Sequence, residues 1–292
     1  MHPSLADSLA RFHLLALVLA AGFGAIWGSF LNVCIARIPR GMSVVTPPSH
    51  CFACGARVRA CDNIPVLSYF LLRGRCRHCG AKFSGRHAGV EALTAGLSAL
   101  VFWHFVLEAP LVPLPVRAAR YALYFAFAAV LVVLTFIDLD TKRLPDTITL
   151  PSVVVFFLGA FAAGEVAWRD RAIGAAAGYL LVRVIADIYY YATGREGLGL
   201  GDGKLLAVFG ALLGWQALPP IVFAASLVGI LVSVPVLFVR RRRDAAHAPL
   251  PIRRAEVPFG PFLSASALAY LFLHRPVGAF VERAVARTLL GG

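Results

Sequence analysis

Two kinds of residue in this chain stand at spacings that could do chemistry: aspartates beside apolar runs, and cysteines in closely spaced pairs. Asp138 ends an apolar stretch in LTFIDLDTKRLPDTITLP, followed by Asp140, Lys142, Arg143 and Asp146. Far along the chain, GREGLGLGDGKLLAVFG places Asp202 in the first turn of another apolar segment, beside Gly203. Two carboxyls that share a proton can hydrolyse a peptide without a nucleophilic side chain. The ionised one activates water and the protonated one polarises the carbonyl, and like charge and low dielectric drive the two pKa values apart. A membrane edge supplies that dielectric and still admits water. Glycines around Asp202 would let a substrate backbone approach. Other readings remain open on spacing alone. A carboxylate at a helix N-terminus complements the helix dipole, and charges at span ends are ordinary. GLGLGDGK resembles a phosphate cradle, but it lacks a preceding strand and the GxxxxGK[ST] spacing.

The cysteines point to a metal. Cys51 and Cys54 form one CxxC pair, Cys76 and Cys79 a second, and 21 residues separate them. Such knuckles can offer four thiolates to one tetrahedral Zn²⁺. Gly55 and Gly80 each follow the second cysteine, where a tight turn is easy. Flanking arginines would lower the thiol pKa values and offset the negative charge of the site. A redox CxxC would need a βαβ context that is missing, and four unliganded thiols are the other alternative. A closed four-thiolate set leaves no open coordination position, so the metal would stabilise the loop and take no part in catalysis. Cys61 is spare, and Cys34 reads as a packing residue inside an apolar span.

The elements that position these groups follow from composition. Of 292 residues, 59% are hydrophobic, well above the roughly 45–50% of soluble domains. The expected fold class is an all-α polytopic membrane protein. About eight spans are expected, near 14–36, 90–107, 119–137, 148–165, 171–192, 204–217, 219–239 and 257–274, the one at 204–217 being short. The first reads as an uncleaved anchor, because Arg37 and Arg40 follow it and its flank is nearly neutral. An even number of spans puts both termini on the outer face.

The net charge of +13 would fit nucleic acid, but its distribution argues against that. Nineteen of the 28 Lys and Arg fall in loops 37–87, 138–147, 193–204 and 240–254, alternating with apolar spans. That is the positive-inside pattern, and the same loops can attract anionic lipid headgroups. The expected division is a first transmembrane helix at 1–38, a cytoplasmic cysteine-rich insert at 39–87, and a helical bundle at 88–292. Arg183 and Asp187, an i,i+4 pair inside one span, are either functional or a self-neutralising pair facing the bundle.

The motifs resemble those of type IV prepilin peptidases, the leader peptidase/N-methyltransferases of the GxGD aspartic protease class, over about residues 22–264. They are GSFLNVCIARIPR (28–40), the two CxxC pairs with DNIPVLSYFLLRGRC (62–76), SGRHAGVEALTA (84–95), DLDTKRLPDTITLP (138–151), GLGLGDGK (197–204) and PFGPFL (258–263). The resemblance implies a catalytic pair Asp138 and Asp202, with Asp138 in the D-x6-P pattern ending at Pro145. It implies prepilin and pseudopilin substrates of type IV pili and type II secretion, cut after a Gly that ends a short basic leader. It further implies N-methylation of the new N-terminus with S-adenosylmethionine and a multi-pass place in the bacterial inner membrane with the active site facing the cytoplasm. Cys61 and His87 depart from the usual family residues. No glycine-rich loop marks an S-adenosylmethionine site. Asp140, Asp146 or Glu196 would receive the basic leader. The rival readings are a transporter or channel, which would need more polar residues mid-span, and a zinc-stabilised scaffold with a dead site. The oligomeric state and the individual pilin are not encoded legibly.

Overall fold

A lipid-embedded backbone must satisfy its own hydrogen bonds, so apolar runs of this length become helices. The computed structural model describes residues 5–163, 166–194, 199–243 and 258–274, and among them there is no strand, only two isolated bridges. The helices are α1 (Leu5–Arg37), the short α2 (Leu67–Leu71), α3 (Arg86–Phe102, continued by a π turn to Leu107), α4 (Leu114–Thr141), α5 (Asp146–Ala163), α6 (Trp168–Thr193), α7 (Leu200–Leu213), α8 (Leu218–Arg243) and α9 (Gly260–His274). Apart from α2, they fall where the eight apolar runs predicted them. Six are long and apolar enough to cross a membrane, which makes this a multi-pass membrane protein. Helices α7 and α9 are shorter than a crossing needs at about 1.5 Å per residue.

The chain divides into two compact units, Met1–Ile137 and Asp138–Gly292. In the first, α1 lies against α3. A Cβ added at Gly24 would sit 2.4 Å from the Ser98 Cβ, and one at Gly28 would sit 2.7 Å from the Glu91 Cα. Glycines four apart thus let the two backbones close to van der Waals contact, the packing that drives helix association in lipid. Ser98 Oγ donates to the Ala20 carbonyl at 2.6 Å and lies 2.7 Å from the Tyr121 hydroxyl, tying α1, α3 and α4 together.

In the second unit α7 is the central helix, buried from Leu205 to Leu212. It packs chiefly on α6 and α5. Gly174 and Gly178 of α6 face Gly210 and Leu206 of α7, and a Cβ at Gly210 would fall 2.1 Å from the Gly174 carbonyl carbon. That contact holds Asp202, at the N-terminal end of α7, in a defined place.

Candidate active site and metal centre

Asp138 stands at the last buried turn of α4, 5% exposed. Helix α4 ends three residues later, where Lys142 takes a left-handed φ of 53° and returns its N–H to the Asp138 carbonyl at 2.8 Å. The turn brings Leu144 onto Gly201, where an added Cβ would meet it at 3.3 Å, and Asp146 into an ion pair with Lys204. The loop after Asp138 is thereby seated on the first turn of α7, where Asp202 caps back to Gly199 through a 3.1 Å backbone bond. The structure thus brings the two aspartates into electrostatic reach of each other.

Asp202 precedes the apolar run of α7 and lies outside the six spans. Burial, and then the negative charge of Asp138, push its carboxyl up to about 6. That is the direction a proton-sharing carboxyl pair requires. A third segment joins them. The Gly260 N–H, at the start of α9, donates to Asp138 Oδ2 at 3.1 Å. It can come so close only because it lacks a side chain, since a Cβ there would lie 2.6 Å from the same oxygen. Sequence reading placed PFGPFL among the motifs but gave Gly260 no role. Its signal was a glycine next to a proline at a helix start.

Other sequence candidates fare differently. Asp140 is exposed beside the pair. Asp146 is already neutralised by Lys204. Glu196 lies outside the described residues. Arg183 Nε and Asp187 Oδ2 do form a pair at 2.9 Å, but on an exposed face of α6, at 45% and 43% exposure, so the inward-facing arrangement is corrected. The buried cation of that helix is Arg171 instead, whose Nη1 donates to the Phe157 carbonyl at 2.6 Å and whose guanidinium lies 4.3 Å over the Phe161 ring.

In the insert the two CxxC segments fold as matching knuckles. Cys51 N–H bonds the Ala56 carbonyl and Gly55 N–H returns to Cys51; Cys76 N–H bonds Ala81 and Gly80 N–H returns to Cys76. Gly55 and Gly80 both have φ of 69°. The sulfurs of Cys51, Cys54, Cys76 and Cys79 all lie within 4.8 Å of one another, and Cys51 and Cys79 sulfurs are 3.8 Å apart. A tetrahedron with Zn–S bonds of about 2.3 Å has S–S edges of about 3.8 Å, so the set fits that ion. N–H groups of Cys54 and Ala53 push the Cys51 thiol down to about 6, a start on the thiolate form a metal needs. Cys79, although the Ala81 N–H lowers it, is pushed up to about 11 by its bonds to the other thiols and by burial. Arg77 Nε clamps both oxygens of Asp62, at 2.9 and 3.0 Å, and holds that carboxyl below its usual range. Cys61 is exposed and outside the sulfur cluster, and Cys34 is buried in α1 as expected of a packing residue.

A multi-pass helical membrane protein with two aspartates gathered at helix ends and a four-cysteine insert is the class that fold and site define. The family model for the bacterial peptidase A24 N-terminal domain matches residues 23–105, and that of the type IV leader peptidase family matches residues 125–234. The prepilin leader peptidase/N-methyltransferase of Aeromonas hydrophila is 38% identical, with 83% of this chain and 85% of the relative covered. That of Burkholderia pseudomallei strain 1026b is 36% identical over 94% and 92%, and that of Neisseria gonorrhoeae 35% over 80% and 86%. The chain belongs to the prepilin leader peptidase/N-methyltransferase family. No solved structure matches it.

Proposed function

We propose that this chain removes the leader peptide of type IV prepilins and pseudopilins, using Asp138, Asp202 and one water, and then N-methylates the new N-terminal residue. The observation that carries the reading is the approach of two aspartates from separate helices, Asp138 buried and oriented by the Gly260 N–H, Asp202 half-buried. Asp202, raised to about 6, is the seat of the shared proton, and Asp138 is the group that takes a proton from water. The Gly260 N–H engages Oδ2 of Asp138 and leaves Oδ1 for that water. A prepilin's apolar helix enters from the bilayer while its basic leader stays in the cytoplasm, which sets the scissile bond at the membrane edge. Asp140, exposed two residues after Asp138, is a candidate to receive the leader. The Lys and Arg bias of the loops supports an inner-membrane location with this edge facing the cytoplasm.

The functional partition we propose is a first helix at 1–38, a cytoplasmic insert at 39–87 held by zinc on Cys51, Cys54, Cys76 and Cys79, and a peptidase bundle at 88–292. The zinc has a structural role. S-adenosylmethionine, when bound, supplies the methyl group that replaces a proton on the new N-terminal amine. The test is co-expression with a prepilin and measurement of leader loss by mass spectrometry. Asp138→Asn and Asp202→Asn should each lower cleavage by about 10²–10⁴-fold. Full activity in either variant refutes the catalytic assignment.

A further inference from the structure

The first unit holds a cavity of about 320 Å³, within the range of small-molecule sites. It runs along one face of α1, from Ile26 through Ser29 and Phe30 to Arg37, and the loop after α1 closes it together with Asn63 and Pro65. The span from Ser29 to Arg37 is eight residues, about 12 Å of helix. All of it lies in the segment matched by the N-terminal family model, which includes neither aspartate of the pair.

Its two ends differ in charge. Arg37 is only 8% exposed. Its Nη1 donates to the Ser43 carbonyl at 3.0 Å and its Nη2 to the Pro47 carbonyl at 2.7 Å. Both acceptors are neutral. Among the described residues no ion pair joins Arg37 to a carboxylate; Asp62 pairs with Arg77, and Glu91 accepts from Ser29 and the Val66 N–H. A buried cation without a counter-ion is costly, and an entering anion relieves that cost. At the other end the Ser29 hydroxyl, which lines the cavity, donates to Glu91, so carboxylate oxygens stand behind that wall. Between the poles, Phe30 and Pro65 form apolar walls and Asn63 brings an amide with both donor and acceptor.

We propose that this cavity binds the methyl donor, with the donor's α-carboxylate at Arg37, its purine against Phe30 and Pro65, and its cationic sulfur toward the Ser29–Glu91 end. The proposal rests on the methyltransferase reading above. A lipid phosphate would satisfy Arg37 by the same anion chemistry, so the experiment must separate the two.

The full chain in detergent is titrated calorimetrically with S-adenosylhomocysteine, an unreactive analogue of the donor, and separately with short-chain phosphatidylglycerol. Because Arg37 also ties down the loop after α1, Arg37→Gln is paired with Val45→Trp. Val45 lines the cavity and is 79% exposed, so a large side chain there fills the space without disturbing a core. Retained zinc on the Cys51, Cys54, Cys76 and Cys79 set, which lies in the same unit as the cavity, reports that each variant is folded. S-adenosylhomocysteine should bind the wild-type chain and bind both variants tenfold to hundredfold more weakly, and methylation of the cleaved pilin should fall in parallel. Variants that bind the analogue as the wild type does, or that lose only phosphatidylglycerol, overturn the assignment of the cavity while leaving methyltransferase activity intact. A wild-type chain that neither binds the analogue nor methylates refutes the methyltransferase reading and this proposal with it.

Discussion

Gly260→Ala tests the carboxylate pair without replacing either aspartate. The new Cβ would stand 2.6 Å from Asp138 Oδ2, whereas ordinary contact begins at 3.4 Å, so about 0.8 Å must be found. The backbone of α9 and the buried end of α4 offer little slack, since Leu263 is fully buried and Asp138 is 5% exposed. The retreat stretches the 3.1 Å bond from the Gly260 N–H. A hydrogen bond to a charged group contributes about 1.5–3 kcal/mol. At about 1.4 kcal/mol per decade, its loss lowers kcat/KM for leader cleavage roughly 10- to 150-fold, in line with the hundredfold cost of a misplacement near 1 Å. The assay is cleavage of a prepilin by the purified variant, with kcat and KM measured separately. The loss should fall on kcat. Methylation of an already cleaved pilin should be unchanged, which separates a local effect from general unfolding. A variant within twofold of wild type in cleavage would refute the reasoning.

Cleavage should fall on the alkaline side of its pH profile as the pair loses its shared proton, with a midpoint near the value of about 6 set at Asp202 by burial and by Asp138. The sign is fixed by the chemistry, because above that pH both carboxyls are ionised and none can polarise the carbonyl. A rate that holds level to pH 9 would contradict it. The purified chain should carry one zinc by elemental analysis. Cys76→Ser, or a strong chelator, should release the metal and make the 51–80 segment a target for limited proteolysis, because the knuckles have little core of their own; protection identical to the wild type would argue against a structural metal. Gly210→Val should lower thermal stability by about 1–3 kcal/mol or more, since the side chain would press on the Gly174 backbone. An unchanged melting temperature would mean that α6 and α7 do not pack this closely.

Much was legible along the chain because it is local. Length and apolarity alone make helices in lipid, and the eight described helices other than α2 fall on the eight apolar runs. Which of them can cross was less legible, because α7 and α9 are apolar enough but short. The Cys51–Cys79 set was readable from spacing, since CxxC turns close within a few residues and two of them suffice for a tetrahedron. The close helix pairs also have a local signal, the Gly24 and Gly28 and the Gly174 and Gly178 spacings of four.

What the sequence by itself determined, then, was the helical membrane class, the four-cysteine insert and the two aspartates as candidates, all properties of neighbours in the chain. The tertiary structure alone decided that the Gly260 N–H, 122 residues on, orients Asp138, that Lys204 neutralises Asp146, that Arg183 faces outward while Arg171 is buried, and that Arg37 is a buried cation lining a cavity. The physical reason is that hydrogen bonds and charge balance depend on distance in space. Helix packing sets those distances, and residues far apart in sequence carry no local pattern that records them.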